Sequence, residues 1–96
     1  MSRYILLSTL TCEGIKTIKE RPHRIQEVNK EIEAHGTKVV DQYAVLGPYD
    51  FVTIIEAPDN NAVVKMSIDL CSRGTLKMIS MPATPTDEFI ANLKKE

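Results

Sequence analysis

The run Phe51-Val52-Thr53-Ile54-Ile55-Glu56 is entered through Gly47-Pro48-Tyr49-Asp50, is almost continuously apolar, and is closed by Pro58. In a strand, successive side chains point to opposite faces, so apolar residues at both odd and even positions leave neither face for water. Here one face is Phe51, Thr53 and Ile55, and the other is Val52, Ile54 and Glu56. Tyr4-Ile5-Leu6-Leu7-Ser8-Thr9-Leu10 repeats the pattern, with consecutive rather than alternating apolar residues. Strands of this kind need cover on both sides.

The rest of the chain supplies candidates for that cover. After the first strand, Thr11 is placed to cap a short helix over Ile15–Lys19, and Arg21-Pro22 interrupts it. Proline suits a first helical turn, so a longer helix is expected from Pro22 to His35, with Ile25, Val28 and Ile32 as its stripe and Gly36 as its stop. Val39 to Leu46 reads as the second strand, and the Gly47-Pro48-Tyr49-Asp50 turn folds it into a hairpin with the third. Asp59 or Asn60 caps a second main helix. Val63, Met66 and Leu70 form one apolar line there, and Val64, Ile68 and Cys71 form another beside it. Gly74 ends that helix, Thr75 to Met81 is the fourth strand, and Thr84-Pro85-Thr86-Asp87 opens a small closing helix edged by Phe89, Ile90 and Leu93.

Strand, helix, strand, strand, helix, strand is the split βαββαβ order of an α+β, ferredoxin-like fold with an extra C-terminal helix. The chain of 96 residues is sized for a single domain over residues 1–96. Two helices cover only one side of the sheet. A second copy packing sheet to sheet is the economical cover for the other, which predicts a homodimer enclosing an α+β barrel.

Charge and cysteine usage bound the partners. Twelve basic residues against thirteen acidic ones give a net charge of -1, which argues against phosphate neutralisation and so against nucleic acid as a partner. Cys12 and Cys71 have no partners at metal-ligand spacing and read as reduced thiols, and the opening apolar run Tyr4–Leu7 is too short for a signal core or a membrane span. The expectation is a cytoplasmic protein with no membrane partner, no metal and no cofactor.

These residues resemble the GYD-domain family. The likeness is carried by Tyr4-Ile5-Leu6-Leu7, Thr11, Gly14-Ile15-Lys16, Ile18-Lys19, Pro22 and Arg24, and by Gly47, Tyr49-Asp50-Phe51-Val52 and Glu56-Ala57-Pro58-Asp59. It implies a dimeric α+β barrel and no particular reaction. A shorter likeness, Gly-x-Tyr-Asp before an apolar strand, is shared with the effector-binding domain of the Lrp/AsnC regulators. That resemblance implies a small ligand such as an amino acid, bound near the turn between the second and third strands.

Gly47, Tyr49 and Asp50 are therefore the candidate ligand-binding residues, a phenol and a carboxylate suited to orienting an amine-bearing metabolite. The structural reading, favoured because turn carboxylates so often do this job, has Asp50 bonding turn amides while Tyr49 packs at the dimer edge. His23 and His35 lie too far apart in sequence to share one helical face as ligands, Cys12 sits at a helix start, and Cys71, Met66, Met78 and Met81 read as core. No acid/base pair stands out, the interior-facing candidates being Asp41, Tyr43 and Glu56, so no catalytic residue is assigned. A self-associating small-ligand-binding module is the leading expectation. A cofactor-free monooxygenase or isomerase with a pocket between sheet and helices is the alternative.

Overall fold

A computed structural model describes residues 1–95. The elements run β1 (Ser2–Leu10), α1 (Cys12–Glu20), α2 (Arg24–Glu33), β2 (Lys38–Ala44), β3 (Phe51–Ala57), α3 (Asn60–Cys71), β4 (Leu76–Ala83) and α4 (Thr86–Lys94). The sheet is antiparallel in the order β2-β3-β1-β4, the ferredoxin-like arrangement. Its two central strands, β3 and β1, are the two with continuous apolar runs.

Register sorts the sheet into two faces. Tyr4 stands opposite Ile55 and Pro82, and Leu6 opposite Thr53 and Ser80. These residues face the helices, where Tyr4, Leu6, Ile55 and Ala57 meet Ile32 of α2 and Val63, Met66 and Leu70 of α3 in one buried cluster. The other face carries Ile5 opposite Ile54 and Met81, and Leu7 opposite Val52 and Ile79, with Tyr43 opposite Val52. None of the buried core residues lies on that side.

Local chemistry explains the helix ends. Thr11 accepts the Gly14 amide at 3.2 Å and donates its hydroxyl to the Gly74 carbonyl at 2.8 Å, and its own amide donates to the Thr75 carbonyl at 3.0 Å. Asp59 caps α3 by accepting from the Ala62 amide at 2.9 Å. Gly36 and Gly74 end their helices at φ 81° and 75°, a left-handed region that glycine enters without a Cβ penalty.

Several expectations are corrected. α1 is longer than Ile15–Lys19 and holds Gly14 inside it, buried, where a Cβ would stand 2.0 Å from the Thr75 carbonyl oxygen. Pro22 and Pro85 precede their helices instead of occupying the first turn, because His23 and Pro85 are the cap positions and neither makes a side-chain cap bond. β2 ends at Ala44, and a bulge between Val39 and Asp41 breaks its alternation, so Val39, Gln42 and Ala44 fall on the helix side together. Only the Val63-Met66-Leu70 line of α3 is buried. Val64 and Ile68 of the second line are 54% and 66% exposed, and Cys71 is half-buried. Met81 lies on the open face, whereas Met66 is fully buried.

α4 makes no extensive contact with any other element, and its described residues are all exposed. The chain measures 53 × 27 × 18 Å, with a radius of gyration of 14.6 Å against about 12.5 Å for a compact domain of this length. The elongation is that of a sheet extended at one end by the hairpin loop and at the other by α4.

Candidate functional site

The β2–β3 connection is a protruding loop, held at its neck by the Val45 amide donating to the Asp50 carbonyl at 2.9 Å. Leu46 at its apex is fully exposed, and Gly47 beside it adopts φ 131°. Asp50 is half-buried, and Tyr49 beside it is more covered than the apex. The Asp50 carboxylate accepts the Leu10 amide at 2.8 Å, and the Asp50 amide donates to the Ser8 carbonyl at 2.8 Å. The carboxylate thus serves the end of β1 rather than the amides of its own turn. Gly47, Tyr49 and Asp50 are brought together on one loop, but the larger clefts of the chain are lined by other residues.

The cavity between the sheet and helices α1 and α2, where the enzyme alternative would hold a substrate, measures only about 60 Å³. Ligand pockets run to roughly 300–1,000 Å³, and this one has room for little more than water. Its polar wall is self-satisfied: Asn29 Nδ2 donates to Gln42 Oε1 at 2.8 Å, and Gln42 Nε2 donates back to Asn29 Oδ1 and to Thr53 Oγ1, both at 3.0 Å. The interior-facing candidates do not converge there either. Asp41 and Tyr43 are exposed on the open face, and Glu56 pairs with Arg3 at 3.6 Å.

A larger cleft, about 520 Å³, lies at the opposite end of the sheet from the loop. Arg3, Glu56, Asn60 and Glu88 line it beside Tyr4, whose hydroxyl donates to Asn60 Oδ1. It is open and charged, without the apolar walls that enclose a small ligand.

His23 and His35 sit at opposite ends of α2. His23 is exposed, and His35 Nε2 lies 3.3 Å from Asp69 Oδ2. Both cysteines are free. Cys12 is exposed, and burial pushes the Cys71 thiol up from its ordinary value, with a hydrogen bond from the Met78 backbone opposing. Among the described residues, no three His, Cys, Asp or Glu side chains form a metal-binding group, and no helix is long and apolar enough to cross a membrane.

The sequence reading missed one constellation. Glu31 accepts from Arg24 at 3.1 Å and from Arg73 of the α3–β4 turn, Arg73 continues to Asp69 at 3.4 Å, and Asp69 meets His35. The Arg73 hydrogen bond holds the Glu31 carboxyl below its ordinary value, Arg24 adds to the effect, and burial opposes it. The acid and base spacing of Arg24, Glu27 and Glu31 along α2 signals half of this chain. Nothing local announces that Arg73 completes it.

The feature left without a partner is the open sheet face. Ile5, Leu7, Val52 and Ile54 are only half-covered by their neighbours, and Tyr43, Ile79 and Met81 are 56%, 49% and 39% exposed.

Comparison with known proteins fits this geometry. The family model of the GYD domain matches residues 4–93. A Thermus thermophilus protein named glutamine synthetase and cystathionine beta-lyase binding protein is 48% identical over 95 residues, spanning 98% of this chain and 100% of that protein. Among solved structures, TTHA0845 from Thermus thermophilus superposes with a TM-score of 0.50 at 20% identity, over 88% of this chain and 95% of that one. The hypothetical protein PHS023 from Pyrococcus horikoshii superposes with a TM-score of 0.52 at 18% identity, over 88% and 92%. At such identities these structures speak to the fold alone.

Proposed function

The chain belongs to the GYD-domain family, and from that premise we propose that it is a non-catalytic binding module that works as a homodimer and docks onto enzymes of amino-acid metabolism. The observation that carries the self-association is the uncovered face built from Ile5, Leu7, Tyr43, Val52, Ile54, Ile79 and Met81. Monomers rarely leave more than a few hundred Å² of contiguous apolar surface in water, and its burial is worth about 25 cal/mol per Å². A second copy packed sheet to sheet, at the usual spacing of about 10 Å, covers both faces at once and encloses a barrel.

The enzyme partners are argued from the relative named for binding glutamine synthetase and cystathionine beta-lyase, which matches this chain over nearly its whole length. The small sheet–helix cavity supports binding over catalysis. A small metabolite such as an amino acid belongs to the same reading at the loop of Gly47, Tyr49 and Asp50. That loop is open in the single chain and gains a wall only when a second copy closes the barrel rim.

Sedimentation at micromolar concentration tests the dimer: the chain sediments as two copies, and Ile79→Lys, on the open face, associates more weakly than the parent. A monomeric parent chain overturns it. Calorimetric titration with purified glutamine synthetase and cystathionine beta-lyase tests the partners, and heat from neither enzyme removes that half of the reading. A thermal-shift screen with amino acids tests the loop, since a ligand of the folded state alone raises its apparent stability.

A further inference from the structure

α4 is nine residues long, and isolated helices below about 12–15 residues are marginal in water. It nonetheless stands as a helix at the end of the sheet, and its apolar edge of Phe89, Ile90 and Leu93 is 53%, 45% and 70% exposed. A short amphipathic helix with so little support from its own chain calls for a surface outside it.

A fitting surface exists on α3. Val64 and Ile68 form an exposed i, i+4 ridge, and a groove of about 230 Å³ runs beside it between Val63, Asn60, Tyr4, Ser80 and Pro82. Phe89 and Leu93 form an i, i+4 ridge of the same pitch, and such ridges interdigitate when two helices pack. Charge fixes the direction. Lys65 follows Val64 and Asp69 follows Ile68, while Glu88 precedes Phe89 and Lys94 follows Leu93. Successive helical residues turn by about 100°, so in a parallel packing Glu88 comes to the side that carries Lys65, with Lys94 turned away, whereas in an antiparallel packing Lys94 meets Lys65.

We propose that α4 is an exchanged arm, its Phe89–Leu93 ridge docking on the Val64–Ile68 ridge and adjoining groove of a second copy while the partner's arm returns the contact. α4 makes no substantial contact with its own α3. Complementarity between two patches of one sequence is what a closed two-fold contact uses. The arm deepens the self-association proposed above but uses a different surface, so the two stand or fall separately.

In a background with Cys12→Ser and Cys71→Ala, one chain carries Val64→Cys and a second, enlarged by a tag, carries Phe89→Cys. Mixed and mildly oxidised, they form a disulfide product of the summed mass, roughly tenfold faster than a control pair with Ile15→Cys in place of Phe89→Cys, because bonding needs close Cα atoms. A rate equal to the control overturns the arm. So does a chain bearing both cysteines that closes on itself as a monomer. If that background does not fold, Lys65→Glu in the native background weakens self-association roughly two- to fivefold, and adding Glu88→Lys restores it; no loss, or no rescue, overturns the arm equally. A cross-link that persists in Ile79→Lys separates the arm from the sheet face: the arm then stands whether or not the face does.

Discussion

The carboxylate of Asp50 accepts the backbone amide of Leu10 at 2.8 Å, tying the root of the β2–β3 loop to the last residue of β1. With the Asp50 amide donating to Ser8, the tie has two strands and fixes the loop against the sheet. Asp50→Ala leaves the Leu10 amide without its acceptor, which costs about 1–3 kcal/mol. Asp50→Asn keeps an oxygen in place and costs less. Urea denaturation of the two variants checks the order, and an Asp50→Ala protein as stable as the parent shifts the residue from scaffold to ligand contact.

Gly14 is required by proximity. A methyl group there overlaps the Thr75 carbonyl, which is backbone and held by Thr11. Overpacking of this kind costs roughly 1–3 kcal/mol, against a helix-propensity gain of at most about 1 kcal/mol. Gly14→Ala is expected to lower the melting temperature, and a neutral or stabilising effect refutes the close approach.

Glu31 gives the chain an acid-sensitive link between α2 and the α3–β4 turn. Its folded pKa is depressed, so its contribution is present above the unfolded value near 4.5 and is lost as pH falls through the folded value. At pH 7, Glu31→Gln is expected to cost on the order of 1 kcal/mol, as networked surface pairs do. The gap between parent and variant should close as the pH is lowered through and below the ordinary carboxylate range. A gap independent of pH assigns the loss to packing instead.

The cysteines separate by reactivity. Cys12 is exposed, whereas Cys71 is partly covered and kept protonated by burial. One thiol per chain should react rapidly with a thiol reagent at pH 8, and the second only slowly until denaturant is added. Equal rates contradict the placement of Cys71.

The order of elements was legible because each rests on local chemistry: Asp59 before an apolar line, glycines at 36 and 74, prolines between runs. The unreadable parts were set by distant neighbours. The bulge at Val40 reverses the faces of half of β2 without a glycine or proline to mark it. Val64 and Ile68 have the spacing of core residues, and only the position of α3 over β4 turns them outward. Gly14 looks like a turn glycine until Thr75, far along the chain, arrives beside it. At the loop, the Tyr-Asp pair was visible at once, but the Asp50–Leu10 bond depends on β1 ending where it does.

The two outer strands of the sheet carry different blunt instruments. β2 has its bulge beside Lys38 and Asp41, and β4 has Pro82, which offers no amide, and Lys77. Both discourage a foreign strand from adding to the rim. With its borders closed to such growth, the sheet is guarded against ribbons that lengthen without limit, and its broad apolar surface is the part left for the proposed pairing of copies.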